Sequence, residues 1–76
     1  MVDVITVSPA DTGWAVKSSS VENPMMFLSG AKAEASARRL AANITMSGVP
    51  AEIRIFTRDG ALAGRYACPA LEARAF

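Results

Sequence analysis

The stretch "EIRIFTRDGALAGRY", Glu52 to Tyr66, holds two alternating runs that meet at Asp59-Gly60. An Asp-Gly pair between alternating segments is a strong short-range signal for a β-hairpin closed by a two-residue type I′ turn. Counting outward from that turn pairs Arg58 with Ala61, Thr57 with Leu62, Phe56 with Ala63, Ile55 with Gly64, Arg54 with Arg65 and Ile53 with Tyr66. One face then carries Ile53, Ile55, Thr57, Leu62, Gly64 and Tyr66 and is expected to meet the core. The other collects Arg54, Phe56, Arg58, Ala61, Ala63 and Arg65, with Glu52 beside them. A slip of one residue would exchange the two sets and bury the arginines, so the alternation fixes the register.

Upstream of the hairpin, the segment from Ala31 to Met46 contains neither proline nor glycine and is rich in alanine. Ala33, Ala37, Leu40, Ala41 and Ile44 recur at helical spacing, which predicts one amphipathic helix over about 31–47. Ser29 or Gly30 is placed to cap its start, and Gly48 followed by Pro50 to end it. Ahead of the helix, "VDVITV" (Val2 to Val7) and "GWAVKS" (Gly13 to Ser18) read as two strands of a hairpin, joined by a loop of about five residues. Trp14 is expected on the core side. Ser19 to Pro24 reads as a polar loop, and "MMFL", Met25 to Leu28, as a brief third strand with Met25, Met26 and Phe27 expected in the core and an exposed interaction edge as the alternative. Beyond Pro69 the chain reads as one short helical turn from Ala70 to Ala75, docking Leu71 or Phe76.

These elements give the order β-β-β-α-β-β. They predict a single small α+β domain over 1–76, a mainly antiparallel sheet with one helix on one face. A chain of 76 residues buries only about 60–65% of its unfolded surface, so its core is thin. The 51% hydrophobic content overstates that core, because fifteen of those residues are alanine.

Net charge is +1, so the molecule as a whole is no electrostatic magnet for nucleic acid. The lone Cys68 precludes an internal disulfide and suits a reducing compartment. The N-terminus carries Asp3 and no basic segment, unlike a secretion signal, and no apolar run reaches the ~18 residues of a membrane helix. A cytoplasmic protein is expected.

Catalytic chemistry has little to stand on. The chain contains no histidine, which removes the commonest general base and the commonest transition-metal ligand. One cysteine cannot build a structural zinc site, and the seven carboxylates are scattered without paired spacing. No phosphate-binding glycine loop or nucleophile-elbow pattern occurs. The expectation is a protein that is not an enzyme and holds no cofactor or metal.

The hairpin's polar face is the candidate surface: Arg54, Phe56, Arg58 and Arg65. Like charges at Arg54 and Arg65, directly opposite, cost a few tenths of a kcal/mol unless a carboxylate, a partner or an anion offsets them. The face reads as a solvated sheet surface, as a protein-partner or homodimer surface, or as a weak nucleic-acid or anion site in which Phe56 stacks a base.

Taken together, "GWAVKS", "AKAEASARRLA" and "RDGAL" resemble a small bacterial family classed as a domain of unknown function. Its members read G-W-x-V-K, then T-K-x-E-A-x-x-x-A-R-x-L-A, then G-R-D-G or G-K-D-G. The likeness covers Gly13 to about Leu62 and implies fold and bacterial origin, with no activity attached. Ser29-Gly30 stands where that family has its threonine cap, "FT" stands before Arg58 where it often has histidine and glycine, and the Ser19–Leu28 loop is longer and more apolar. A fainter similarity links the G-x-x-V strand and E-A helix to HicB-type antitoxins, which neutralise a small RNA-cleaving toxin. The leading expectation is a non-enzymatic interaction module acting by protein contact or self-association. The alternatives are weak nucleic-acid binding on the hairpin face and antitoxin-like neutralisation.

Overall fold

The computed structural model describes residues 1–71. Five strands and one helix follow in the order β1 (Asp3–Ala10), β2 (Gly13–Ser18), β3 (Val21–Phe27), α1 (Gly30–Met46), β4 (Ala51–Phe56) and β5 (Leu62–Cys68). The strands form one sheet in the order β3-β2-β1-β4-β5. β1 and β4 run parallel and every other neighbouring pair is antiparallel. Parallel neighbours require a crossover, and α1 supplies it by carrying the chain across one face of the sheet. The α+β order and the mainly antiparallel sheet expected from the sequence are present. No helix among the described residues is long and apolar enough to cross a membrane.

The helix starts one residue earlier than its sequence pattern suggests. Ser29 is the N-cap, its hydroxyl accepting the Lys32 amide at 3.2 Å. At the far end the Gly48 amide bonds the Thr45 carbonyl at 3.0 Å and the Val49 amide bonds Ile44 at 3.3 Å. Gly48 has φ +95°, so this is a Schellman cap that only glycine adopts without strain. Ala33, Ala37 and Ala41 are fully buried against Ile5, Val7, Val16, Ala51 and Ile53, with Trp14, Phe27, Leu40, Ile44, Ile55 and Cys68 packed around that centre. Small helix side chains let the backbone lie close to the sheet, so the core is one thin layer of β-branched and alanine side chains.

Four expectations about the strands are corrected. β1 continues through Pro9 to Ala10, and the loop to β2 is only Asp11-Thr12, with Ala10 paired to Gly13. Asp11 takes the positive φ that such a tight turn demands. β3 spans Val21–Phe27 rather than beginning at Met25, because it is an edge strand. Pro24 is tolerated there, where a strand lacks a neighbour on one side. Of "MMF", Phe27 packs on the core, but Met25 and Met26 are 38% and 60% exposed.

The hairpin tip departs from a two-residue turn as well. A type I′ turn needs positive φ at both central residues, and here Gly60 has it (+87°) while Asp59 does not. The chain instead forms a three-residue loop, Arg58-Asp59-Gly60, closed by the Thr57 amide on the Ala61 carbonyl at 2.8 Å. The extra residue is absorbed as a β-bulge: Ile55 still faces Gly64, but Phe56 faces Leu62. Leu62 is thereby moved from the helix side to the outer face, beside Phe56. The expected terminal turn from Ala70 and the docking of Phe76 fall largely outside the described residues. Leu71 is exposed, and its amide bonds the Thr45 carbonyl at 3.0 Å.

Candidate functional site

One helix covers one face of a five-stranded sheet, so among the described residues the other face lies bare. Alternation along each strand decides what that face displays. On β1 it is Val4, Thr6 and Ser8, because Ile5 and Val7 point to the core. The register then lines these residues up across the sheet. Lys17 of β2 pairs with Thr6, Thr6 with Arg54, and Arg54 with Arg65. A single transverse row, Lys17–Thr6–Arg54–Arg65, therefore crosses four strands and carries three cations. The adjacent row is apolar except for Ser8. Met26 pairs with Ala15 and Ala15 with Ser8, while Phe56, one residue beyond the Val7–Ile55 pair, faces Leu62.

Glu52 resolves the electrostatic conflict between Arg54 and Arg65. It sits two residues before Arg54 on the same face, accepts a hydrogen bond from the Arg54 Nε, and lies 3.7 Å from the Arg65 Nε. The offsetting carboxylate thus comes from β4 itself. Arg54, Phe56 and Arg65 do lie together on the outer face, as expected. Arg58 does not. The three-residue loop lifts it off that face, and its guanidinium lies 5.3 Å from the centre of the Trp14 ring on the helix side. That is a cation–π contact, which ties the hairpin tip to Trp14 of β2. Sequence reasoning placed Lys17 as a neighbour of this face but missed Thr6, Met26 and Leu62 as members of it. The strand alternation carried the signal for Lys17 and Thr6, once the pairing of β1 with β4 is known.

A second polar cluster forms where β1 begins. The buried Asp3 carboxylate accepts hydrogen bonds from the hydroxyls of Ser18 (2.9 Å) and Ser19 (2.8 Å). Ser19 also takes the Val4 amide at 3.1 Å. Burial works to raise the Asp3 pKa, but the hydrogen bonds from Ser20, Ser19 and Ser18 outweigh it and hold the carboxyl below its ordinary value. The "SSS" run therefore ties the β2–β3 turn to β1. Every fully buried side-chain polar atom among the described residues has a partner, and the hydroxyl bonds to Asp3 make this cluster a structural clamp.

Beside α1, β5 is left uncovered among the described residues. Tyr66 is 46% exposed next to a shallow pocket of about 250 Å³ lined by Arg38, Ala41, Thr45, Ile53 and Cys68. The Arg38 guanidinium lies 5.4 Å from the Tyr66 ring centre. Cys68 packs at the core margin as a small half-buried apolar residue. No protein-family model, curated protein or solved structure matches this chain.

Proposed function

We propose that this protein is a non-enzymatic interaction module, bacterial and cytoplasmic, that works by protein contact through the outer face of its sheet. The observation that carries the reading is the pairing of an apolar row with a basic row on the one face no helix covers. A merely solvated face has scattered polar side chains, whereas here Met26 and Leu62 are 60% and 50% exposed in line with Phe56. Arginine and aromatic side chains on an open face are also what protein interfaces favour. The test is photo-cross-linking in the native host, with a photoreactive residue at Leu62 and, as control, at the exposed Arg39 on the helix. Discrete protein adducts at 62 and none at 39 support the reading. The same adducts at both positions contradict it.

A second reading, self-association, is favoured by the two edges of the sheet. β3 is guarded by Pro24 and Glu22, while β5 has no proline, one charged residue and, among the described residues, no helix over it. Pairing of β5 with β5 of a second copy would show as concentration-dependent slowing of amide exchange in β5. Exchange that stays constant with concentration rules it out. Weak nucleic-acid binding remains a third proposal. It now rests on Lys17, Arg54 and Arg65 with Phe56, since Arg58 lies elsewhere. Antitoxin-like neutralisation is a special case of protein contact, in which the partner would be a small toxin.

A further inference from the structure

The chemistry of the outer face narrows what kind of protein would dock there, and this step rests on the reading just given. Neighbouring strands lie about 4.8 Å apart, so Lys17 and Arg54 are separated by roughly 10 Å and Arg54 and Arg65 by roughly 5 Å at the backbone. The apolar row runs two residues further along the strands, a displacement of about 6.7 Å. An α-helix rises about 5.4 Å per turn, close to the strand spacing. A helix laid across the strands therefore offers one side chain per turn to each successive strand. Two adjacent stripes on such a helix, one apolar and one acidic, would meet the apolar and basic rows together.

Charge and exposure choose between occupants. Lys17, Arg54 and Arg65 against Glu52 leave three positive charges and one negative, an excess of +2. A second copy laid face to face would set that excess against itself, which like-charge repulsion opposes. A nucleic acid would find the cations but a single aromatic, Phe56, which is half-buried, and the exposed aliphatic side chains of Met26 and Leu62 stack no base. We infer that the outer face takes an acidic amphipathic helix of a partner protein, its apolar stripe on Met26, Phe56 and Leu62 and its carboxylates on Lys17, Arg54 and Arg65. Glu52 is a built-in competitor. It already occupies Arg54 and Arg65, and an incoming carboxylate must displace it.

The test is fluorescence anisotropy with a labelled synthetic helical peptide bearing one leucine stripe and one adjacent glutamate stripe. The comparison probes are the same peptide with lysine for glutamate and a short mixed-sequence oligonucleotide. The acidic peptide is expected to bind, to weaken with salt, and to exceed the lysine peptide by about tenfold or more. Glu52→Gln should tighten binding by roughly three- to fivefold, and Arg54→Ala or Arg65→Ala should weaken it by a similar factor. The gain from Glu52→Gln is the informative arm, because misfolding cannot produce it. Absent binding, equal affinity for the lysine peptide, or tighter binding of the oligonucleotide would each overturn the inference. If the peptide fails while cross-linking at 62 stays specific, the face is still a contact surface and only the partner's chemistry falls. If both fail, the reading of the face falls with it.

Discussion

Arg54 and Arg65 stand directly opposite each other on the outer face of the sheet, and one carboxylate, Glu52, reaches both. The two guanidinium groups are held side by side with that one carboxylate offsetting their mutual repulsion. Removing that group exposes the conflict. Glu52→Gln should lower stability by about 0.5 kcal/mol, the scale of an exposed ion pair or a like-charge cross-strand pair. Added salt should restore part of the loss by screening the arginines. Urea unfolding at low and high ionic strength measures it. A loss unaffected by salt would point to lost packing rather than charge.

The Asp3 clamp predicts a pH dependence of the opposite kind to a lysine or histidine site. Its folded-state pKa lies below the ordinary 3.8, so ionised Asp3 stabilises the fold above that value. The contribution is lost as pH falls from about 3.8 through the lower folded-state pKa. Asp3→Ala removes the acceptor shared by the Ser18 and Ser19 hydroxyls and should cost about 1.5–3 kcal/mol near neutral pH. The difference between the two proteins should shrink below pH 3.8. Thermal unfolding across the acid range checks both statements. A gap that persists at the lowest pH would show that the carboxylate charge is not what matters.

Two glycines should respond differently to the same substitution. A Cβ at Gly48 would meet nothing within 4 Å, so Gly48→Ala is penalised only by its φ of +95°, about 1 kcal/mol. A Cβ at Gly13 would come within 2.2 Å of the Phe27 carbonyl oxygen on the neighbouring backbone. Backbone cannot step aside cheaply, so Gly13→Ala should exceed the Gly48→Ala cost by at least about 1 kcal/mol and loosen β3 from β2. Chemical denaturation with amide exchange of β3 reads out both. Equal costs would mean that the β2–β3 junction is softer than its geometry.

Arg58 belongs to the fold and not to the outer face. Arg58→Ala should cost about 0.5–1 kcal/mol through loss of its contact with Trp14, and should change the emission of that single tryptophan. Binding of an acidic peptide should be unaffected. A fall in affinity matching that of Arg54→Ala would return Arg58 to the surface.

How much of this was legible in the sequence follows from how local each cause is. The helix and both its caps could be read, because Ser29, the alanine stripe, Gly48 and Pro50 act within a turn of themselves. The pairing of Arg54 with Arg65 could be read from the Asp59-Gly60 turn, although the turn itself has three loop residues. The error stayed local because the bulge near Leu62 absorbs the extra residue before Gly64. No side chain announces a bulge, so Leu62 could not be assigned to the correct face. Pro24 argued against a strand, and only the edge position of β3 makes it harmless. The transverse row was invisible for a different reason. It depends on β1 lying parallel to β4, a contact between segments nearly fifty residues apart that no local pattern encodes.

The measurement that bears most directly on the outer face is a two-dimensional amide NMR spectrum of the labelled protein, titrated at low salt with the acidic amphipathic peptide. Progressive movement of Thr6, Lys17, Arg54, Phe56, Leu62 and Arg65, reversed by salt, is the result predicted here. Movement confined to the exposed side of α1, or to the β3 edge, would contradict the assignment of the bare sheet face as the contact surface.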